Sequence, residues 1–256
     1  MVLGYHLLLL LILLPSTYGA DSIGEFCTGD KNLTTAQSSN VARTLEELVA
    51  RTPGTGFATS SFGSGDQKAY GLAQCRGDVS TEDCSSCVAD AAKRLPKDCP
   101  NRNGARIWFD YCFLRYGTEN FMGQLDTGYG IFYYNVNDIN TTNPDSFDTQ
   151  VGDLMNHVRR QALIPKNRGL GKDQTQFSSF VTIYGLVQCN GDLSQLLCDQ
   201  CLAIAIGKLP DFCQHKVGCQ AIYSSCKIRY EIYPFFFPLE PVGRSRGFNR
   251  KVIVHP

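Results

Sequence analysis

Apolar residues recur three or four positions apart in two well-separated parts of the chain. Positions with this spacing lie on one face of an α-helix, so each set predicts a helix with one buried side. The two sets are Val41, Leu45 and Leu48, and Phe147, Val151 and Leu154.

The segment after the first of these helices predicts a hairpin and then a second helix. Residues 54–65, GTGFATSSFGSG, carry glycines that are typical of turns flanking paired strands. Ser80, with Asp83 three positions later, has the pattern of a helix capping box and predicts a helix running to about Leu95. Pro96 is expected to end that helix, because the residue before a proline avoids helical backbone angles.

Aromatic and β-branched residues predict strands at Ile107–Tyr116 and Ile131–Tyr134. Combined with the helices, they predict an α+β fold. In each half of the chain we expect two helices packed on an antiparallel sheet of about five strands.

The chain contains an internal sequence duplication. Residues 70–117 align without a gap to residues 184–231, at an offset of 114 positions. Such a long match at fixed spacing indicates two homologous tandem domains. Five pairs of cysteines superpose: Cys75/Cys189, Cys84/Cys198, Cys87/Cys201, Cys99/Cys213 and Cys112/Cys226.

A polar run at residues 135–146, NVNDINTTNPDS, predicts the linker between the domains. The predicted division is a signal peptide at 1–20, domain one at 21–138, domain two at 139–240 and a polar, basic tail at 241–256.

The first residues predict secretion. Leu7–Leu14 form an apolar stretch too short to span a membrane, and small residues follow it, which is typical of a signal peptide. Asn32 and Asn140 each begin an Asn-x-Thr sequon, so both are predicted glycosylation sites on the surface. We expect no membrane span after residue 20 and a location outside the cell.

The charge balance argues against a nucleic-acid partner. The chain has 24 basic and 24 acidic residues, and so lacks the net positive charge that contacts with a phosphate backbone require.

Twelve cysteines leave three interpretations open. The C-x8-C-x2-C spacing at Cys75, Cys84 and Cys87 could belong to a zinc site or to a redox-active pair. Export to an oxidising compartment favours structural disulfides instead, and no metal or cofactor is expected. Spacing alone does not choose among the possible pairings.

The motifs around these cysteines resemble those of a known family. C-x8-C-x2-C between a YG-x-x-QC strand and a GAR…C-x-x-RY strand is similar to the ginkbilobin-homologous, or stress-antifungal, domain of plants. Two such domains after a signal peptide resemble the cysteine-rich repeat secretory proteins, and this resemblance implies a location in the apoplast or cell wall. The ending CKIRYEIYPFFFPL is similar to the root-meander-curling type within that family.

The resemblance implies a disulfide pairing. It gives Cys27–Cys99, Cys75–Cys84 and Cys87–Cys112 in copy one, and Cys189–Cys198 and Cys201–Cys226 in copy two. Copy two has no cysteine near its start, and Cys219 stands opposite Ala105. We therefore predict a sixth bond, Cys213–Cys219.

Nothing in the sequence predicts an enzyme. His157 and His215 lie outside any nucleophile or metal motif, His6 falls in the signal peptide and His255 is next to last. If all twelve cysteines pair, none of them is free to act as a nucleophile.

Two kinds of partner stay open. Ginkbilobin-type domains bind mannose through an Asn, an Arg and a Glu, and this chain keeps only part of that set. The corresponding positions are Thr28, Arg106 and Gly117 in copy one and Gln220 and Glu231 in copy two. This alternative is a lectin for cell-wall or fungal carbohydrate with antifungal activity.

The resemblance to extracellular halves of receptor kinases favours a protein-interaction module in stress, defence or development. Its partner would be a receptor-kinase ectodomain or a second copy of the chain. The aromatic run Ile232–Leu239 is the local candidate for such a contact, although packing between the two domains is the simpler interpretation.

Overall fold

Two antiparallel sheets, each with helices on one face, make up the part of the chain that the computed structural model describes, residues 22–238 and 249–254. We call each sheet with its helices a unit. The first unit consists of β1 (Gly24–Asn32), α1 (Thr35–Thr55), β2 (Phe57–Phe62), β3 (Ala69–Cys75), α2 (Thr81–Asp98), β4 (Arg102–Trp108) and β5 (Cys112–Gly117).

The second unit repeats this order and adds two elements. It consists of β6 (Gly130–Asn135), α3 (Pro144–Ala162), β7 (Leu170–Ser178), β8 (Val181–Cys189), α4 (Gln195–Gly207), α5 (Leu209–Cys213), β9 (Gly218–Ile222), β10 (Cys226–Glu231) and β11 (Asn249–Val254). The strand orders are β1-β4-β5-β3-β2 and β11-β6-β9-β10-β8-β7. The predicted α+β architecture is confirmed.

Alternation along the strands sends side chains to two different cores. In the first sheet Ala73, Ile107 and Leu114 pack against α1 and α2. The intervening residues, Leu72, Trp108 and Phe113, form a cluster with Ile131 and Ile222 of the second sheet. The face of the first sheet opposite its helices is therefore buried against the second unit.

Six disulfides fasten the helices and strands together. They join Cys27 to Cys99, Cys75 to Cys84, Cys87 to Cys112, Cys189 to Cys198, Cys201 to Cys226 and Cys213 to Cys219. These are the pairs set out above from the resemblance and from the two remaining cysteines. Cys213–Cys219 spans only 6 positions, whereas Cys27–Cys99 spans 72 and holds the first strand of its sheet.

Helix α2 does not end before Pro96, as the sequence had suggested, but continues to Asp98. The N–H of Cys99 still bonds to the carbonyl of Leu95, and the disulfide to Cys27 holds this last turn. In the second unit the same Leu-Pro dipeptide does interrupt the helix, because α4 ends at Gly207 and α5 begins at Leu209. Gly207, two residues before that dipeptide, lowers helix stability, whereas α2 has Lys93 at the equivalent position and continues.

The strand predictions need three corrections. Ile107–Tyr116 is not one strand but parts of β4 and β5, with a turn in which the N–H of Phe109 bonds to the carbonyl of Cys112. Strand β1 was not predicted. Strand β6 lies before the predicted boundary at 138/139, yet it pairs with β9 in the second sheet.

Part of the predicted polar tail also forms a strand. Asn249–Val254 is β11, which pairs with the outer edge of β6. Its three consecutive β-branched residues suit a strand, although the sequence predicted only a polar, basic tail there. The predicted signal peptide lies outside the described residues.

The second unit is eight residues longer than the first between its first helix and the second strand of its hairpin. Leu154 on α3 occupies the place of Leu48 on α1, 106 positions earlier, and each of them contacts a glycine of the following sheet. Those glycines, Gly185 and Gly71, are 114 positions apart. Seven residues, 163–169, separate α3 from β7, whereas Gly56 alone separates α1 from β2, so six of the eight additional residues lie here. We call residues 163–169 the inserted loop.

Candidate functional site at the junction of the two units

The two units are joined by contacts that occur twice, once in each direction. The N–H of Gly77 donates to the Gln188 side-chain oxygen at 3.1 Å, and the N–H of Gly191 donates to that of Gln74 at 3.0 Å. Gln74 and Gln188 are equivalent positions in the two copies, and so are Gly77 and Gly191. The junction therefore has approximate two-fold symmetry.

A second reciprocal pair extends the junction. The segment after β10 brings the N–H of Phe237 to Asp78 at 2.7 Å, and the segment after β5 brings the N–H of Gly123 to Asp192 at 2.8 Å. Each unit thus reaches across to an aspartate of the other. Asp78 and Asp192 are equivalent positions of the two copies, but the sequence does not indicate their role because their partners lie far away along the chain.

The aromatic run Ile232–Leu239 lies at this junction as far as it is described. Phe235 is buried, and its ring lies 4.4 Å from the guanidinium of Arg229. Phe236 contacts Tyr184, and Phe237 contacts Tyr111. The described part of the run packs between the units without forming a strand. Phe235 is buried and Phe236 and Phe237 are half-buried, so these rings do not form an exposed aromatic patch on which a partner could dock.

Several charged side chains are enclosed with this run. Arg76 and Asp78 form an ion pair of 2.6 Å in which both side chains are almost completely buried. Arg229 pairs across the junction at 3.3 Å with Asp110, whose side chain is about half exposed. The buried Arg76–Asp78 pair holds a specific arrangement, because removing either partner leaves the other uncompensated.

The charged form of Lys227 is disfavoured in this environment. Burial, reinforced by the nearby positive charge of Arg76, lowers the pKa of Lys227 to about 8 from 10.5, and Asp110 and Asp78 offset only part of this. Its ammonium group donates to the carbonyl oxygen of Asp110 at 3.1 Å. The equivalent position in copy one is the apolar Phe113.

The mannose-associated position Arg106 is buried in copy one. Its guanidinium contacts Asp126 and Ser224, and it lies over the rings of Phe26 and Tyr129. Only 5% of the residue is exposed. A sugar would reach this guanidinium only after the segment that carries Asp126 and Tyr129 moved away.

The other mannose-associated positions offer few free groups. Thr28 and Gly117 both pair in register with Gly104, and Gly117 has no side chain to contribute. In copy two, Gln220 lies on β9, while Glu231 is buried and bonds to Arg229 at 3.1 Å. Burial raises the pKa of the Glu231 carboxyl, and Arg229 counteracts this only in part.

The two histidines considered above lie at the surface of the second unit. His157 contacts Asp173 at 3.0 Å. His215 contacts Asp145 at 2.9 Å, and its backbone N–H donates to Asp148. The contacts of His215 fasten the end of α5 to the start of α3.

Both sequon asparagines, Asn32 and Asn140, are exposed.

A groove runs along the junction and is lined by both units. Its volume is about 1030 Å³, and its floor includes Gln74 and Gln188, the reciprocal glutamines. One wall is the turn after α1, and the other is the inserted loop. We call this feature the junction groove. Its size is in the range of pockets that bind small ligands or short segments of a partner.

The fold and the disulfides define a class: a tandem pair of disulfide-stapled α+β units. A family model described as salt stress response/antifungal matches residues 26–119 and again residues 134–233. The chain belongs to the salt stress response/antifungal family, with the domain present twice.

Individual relatives agree with this assignment. Cysteine-rich repeat secretory protein 55 of Arabidopsis thaliana is 47% identical over 251 residues, which cover 96% of this chain and 95% of the relative. An antimicrobial ginkbilobin-2-like protein of Castanea crenata is 40% identical, over 89% of this chain and 94% of that protein.

A solved structure shares the whole tandem arrangement. The tandem DUF26 ectodomain of the Arabidopsis thaliana cysteine-rich receptor-like protein PDLP8 superposes with a TM-score of 0.71 at 28% identity. The match covers 82% of this chain and 97% of the other. The chain is an extracellular, secreted protein module rich in cysteine, and no helix in the described ranges is long and apolar enough to cross a membrane.

Proposed function

We propose that the chain is a non-enzymatic recognition module that binds another extracellular protein in stress, defence or development. The observation that carries this proposal is the reciprocal junction, which fixes the two units as one body with a groove along its axis. A rigid double unit presents one continuous surface to a partner, and its affinity is not reduced by ordering two loosely tethered domains.

The relatives support this choice of partner. Cysteine-rich receptor-like protein kinase 25 of Arabidopsis thaliana is 38% identical over 66% of this chain, which corresponds to 25% of that protein. Units of this kind therefore also occur in receptor-like kinases. We propose that the partner is a receptor-kinase ectodomain or a second copy of the chain.

Mannose binding remains the alternative function, and the positions of the mannose-associated residues argue against it. Arg106 is covered by Asp126, and Glu231 is engaged by Arg229. Neither side chain is available to sugar hydroxyls in the described arrangement.

The test compares both functions on the mature, disulfide-intact chain. Binding to a set of recombinant receptor-kinase ectodomains is measured by interferometry, and self-association by sedimentation. Titration calorimetry with mannose and a mannan oligosaccharide runs in parallel. Saturable protein binding that mannose does not compete supports the proposal.

The opposite pattern would overturn it. Saturable heat with mannose that is lost in Arg106→Ala, without any protein binding, would make this chain a lectin. Arg102→Ala is the matched control, because Arg102 is an exposed arginine on the same strand. Arg106→Lys keeps the charge and separates loss of binding from loss of folding.

A further inference from the structure

The junction groove has an unbalanced charge. Four basic residues line it, namely Arg76, Lys166, Arg168 and Lys172, and among the lining residues of the described ranges none is acidic. The chain as a whole has equal numbers of basic and acidic residues, so this local excess is not a property of the composition. A concave surface lined by one sign of charge concentrates ligands of the opposite sign.

The inserted loop supplies the two exposed cations. Lys166 and Arg168 are both exposed, and neither forms an ion pair within the described residues. Lys172, by contrast, donates to the carbonyl of Phe237. Because the first unit lacks the inserted loop, the cations stand on one wall of the groove only.

The groove floor adds no free positive charge. Arg76 is 3% exposed, and its guanidinium is paired with the carboxylate of Asp78 at 2.6 Å. The accessible positive charge of the groove is therefore that of Lys166 and Arg168 on the inserted loop, with the half-buried Lys172 beside them.

The remaining groups favour a peptide over a sugar. The groove amides are engaged by the protein itself, as in the bonds from Gln195 to the carbonyl of Leu163 and from Asn190 to the carbonyl of Ser224. Among the described residues that line the groove, Phe57 is the single aromatic residue available for stacking on a sugar ring. Ile164, however, is 44% exposed beside the cations.

We propose that the junction groove binds an extended segment of a partner protein that carries acidic and apolar side chains. Its carboxylates would pair with Lys166 and Arg168, and its apolar side chains would cover Ile164 and Phe57. This inference rests on the proposed function and names the part of the surface that performs it.

The test is selection of eight-residue peptides from a random display library on the immobilised, disulfide-intact chain. We expect the selected peptides to be enriched in aspartate or glutamate together with apolar residues. Binding of the synthetic peptides should weaken at least tenfold in the double variant Lys166→Glu, Arg168→Glu. The matched control is Lys93→Glu, Lys97→Glu, which makes the same change of charge on the exposed side of α2.

Three outcomes would overturn the proposal. The selected peptides show no acidic bias, or they bind the groove variant as well as the control, or the library yields no binder while polygalacturonate binds and the groove variant abolishes that binding. The last result would assign the groove to an acidic polysaccharide. If the groove variant still binds a receptor-kinase ectodomain normally, the proposed function stands and only its location in the groove fails.

Discussion

Replacing Lys227 by methionine should make this protein more stable near neutral pH. The ammonium of Lys227 lies at the junction of the units, where burial and Arg76 lower its pKa to about 8. Methionine has a similar length and no charge to desolvate. The equivalent place in copy one already holds an apolar residue, Phe113, buried beside Trp108.

The expected magnitude follows from the two pKa values. The difference between 10.5 in the unfolded chain and about 8 in the folded one corresponds to about 3 kcal/mol against the charged amine. Methionine also loses the hydrogen bond to the Asp110 carbonyl, which is worth about 1 kcal/mol. The net gain near pH 7 should therefore be about 1–3 kcal/mol, since burial terms of this kind are partly relaxed in real proteins.

The pH dependence has a definite sign. Below pH 8 the amine is charged in both states, so the full penalty is present. Between about 8 and 10.5 the folded protein loses its proton first, so the unfolded chain binds more protons and the free energy of unfolding rises with pH. Above 10.5 the penalty has gone, and with it the advantage of methionine.

The assay is guanidinium unfolding of the non-reduced protein between pH 7 and 9.5, for the wild type and Lys227→Met. That range stays below the titration of Tyr116, whose pKa burial raises to about 12. Lys93→Met, at an exposed position of α2, is the control and should track the wild type. Parallel pH profiles for all three proteins, or a less stable Lys227→Met at neutral pH, would refute the reasoning.

Three further predictions concern the disulfides and two glycines. Loss of Cys27–Cys99 by double substitution to alanine should lower the free energy of unfolding by about 4.4 kcal/mol through chain entropy, against about 2.2 kcal/mol for Cys213–Cys219. Equal losses in denaturant titrations would show that loop length does not set the difference. Gly152→Ala should raise the melting temperature by improving α3, worth about 0.5–1 kcal/mol, because nothing lies within 4 Å of the added carbon. Gly191→Ala should lower it, since the added carbon would lie 2.8 Å from the Phe57 ring of the other unit; a neutral result would show that the junction yields easily.

Local signals in the sequence predicted most of the individual elements. The spacing of Val41, Leu45 and Leu48 indicates a helix because one turn of backbone repeats every three or four residues, whatever surrounds it. Ser80 caps α2 for an equally local reason, as its hydroxyl accepts from the N–H of Asp83. The duplication could be detected in the sequence because five cysteines recur in the second copy with the same spacing.

Strand partners could not be predicted in the same way. The aromatic residues of β6 and Ile131 are enough to indicate a strand, but only contacts with β9 decide that it belongs to the second sheet. Strand β11 pairs with the opposite edge of β6 although the two strands are far apart in sequence, and the basic residues beside it gave no indication of a strand. Strand pairing depends on which edges are free in the folded protein, and the sequence pattern alone does not contain that information.

The sequence by itself determined that this protein has two duplicated units, where its helices lie and how its cysteines are spaced. The tertiary structure alone decided what those units enclose between them. Arg106 changed from a candidate sugar ligand to a buried partner of Asp126, and Lys166 and Arg168 became the cationic wall of a groove. Helical periodicity is a property of neighbours along the chain, whereas burial and the balance of charge depend on residues brought together from both units.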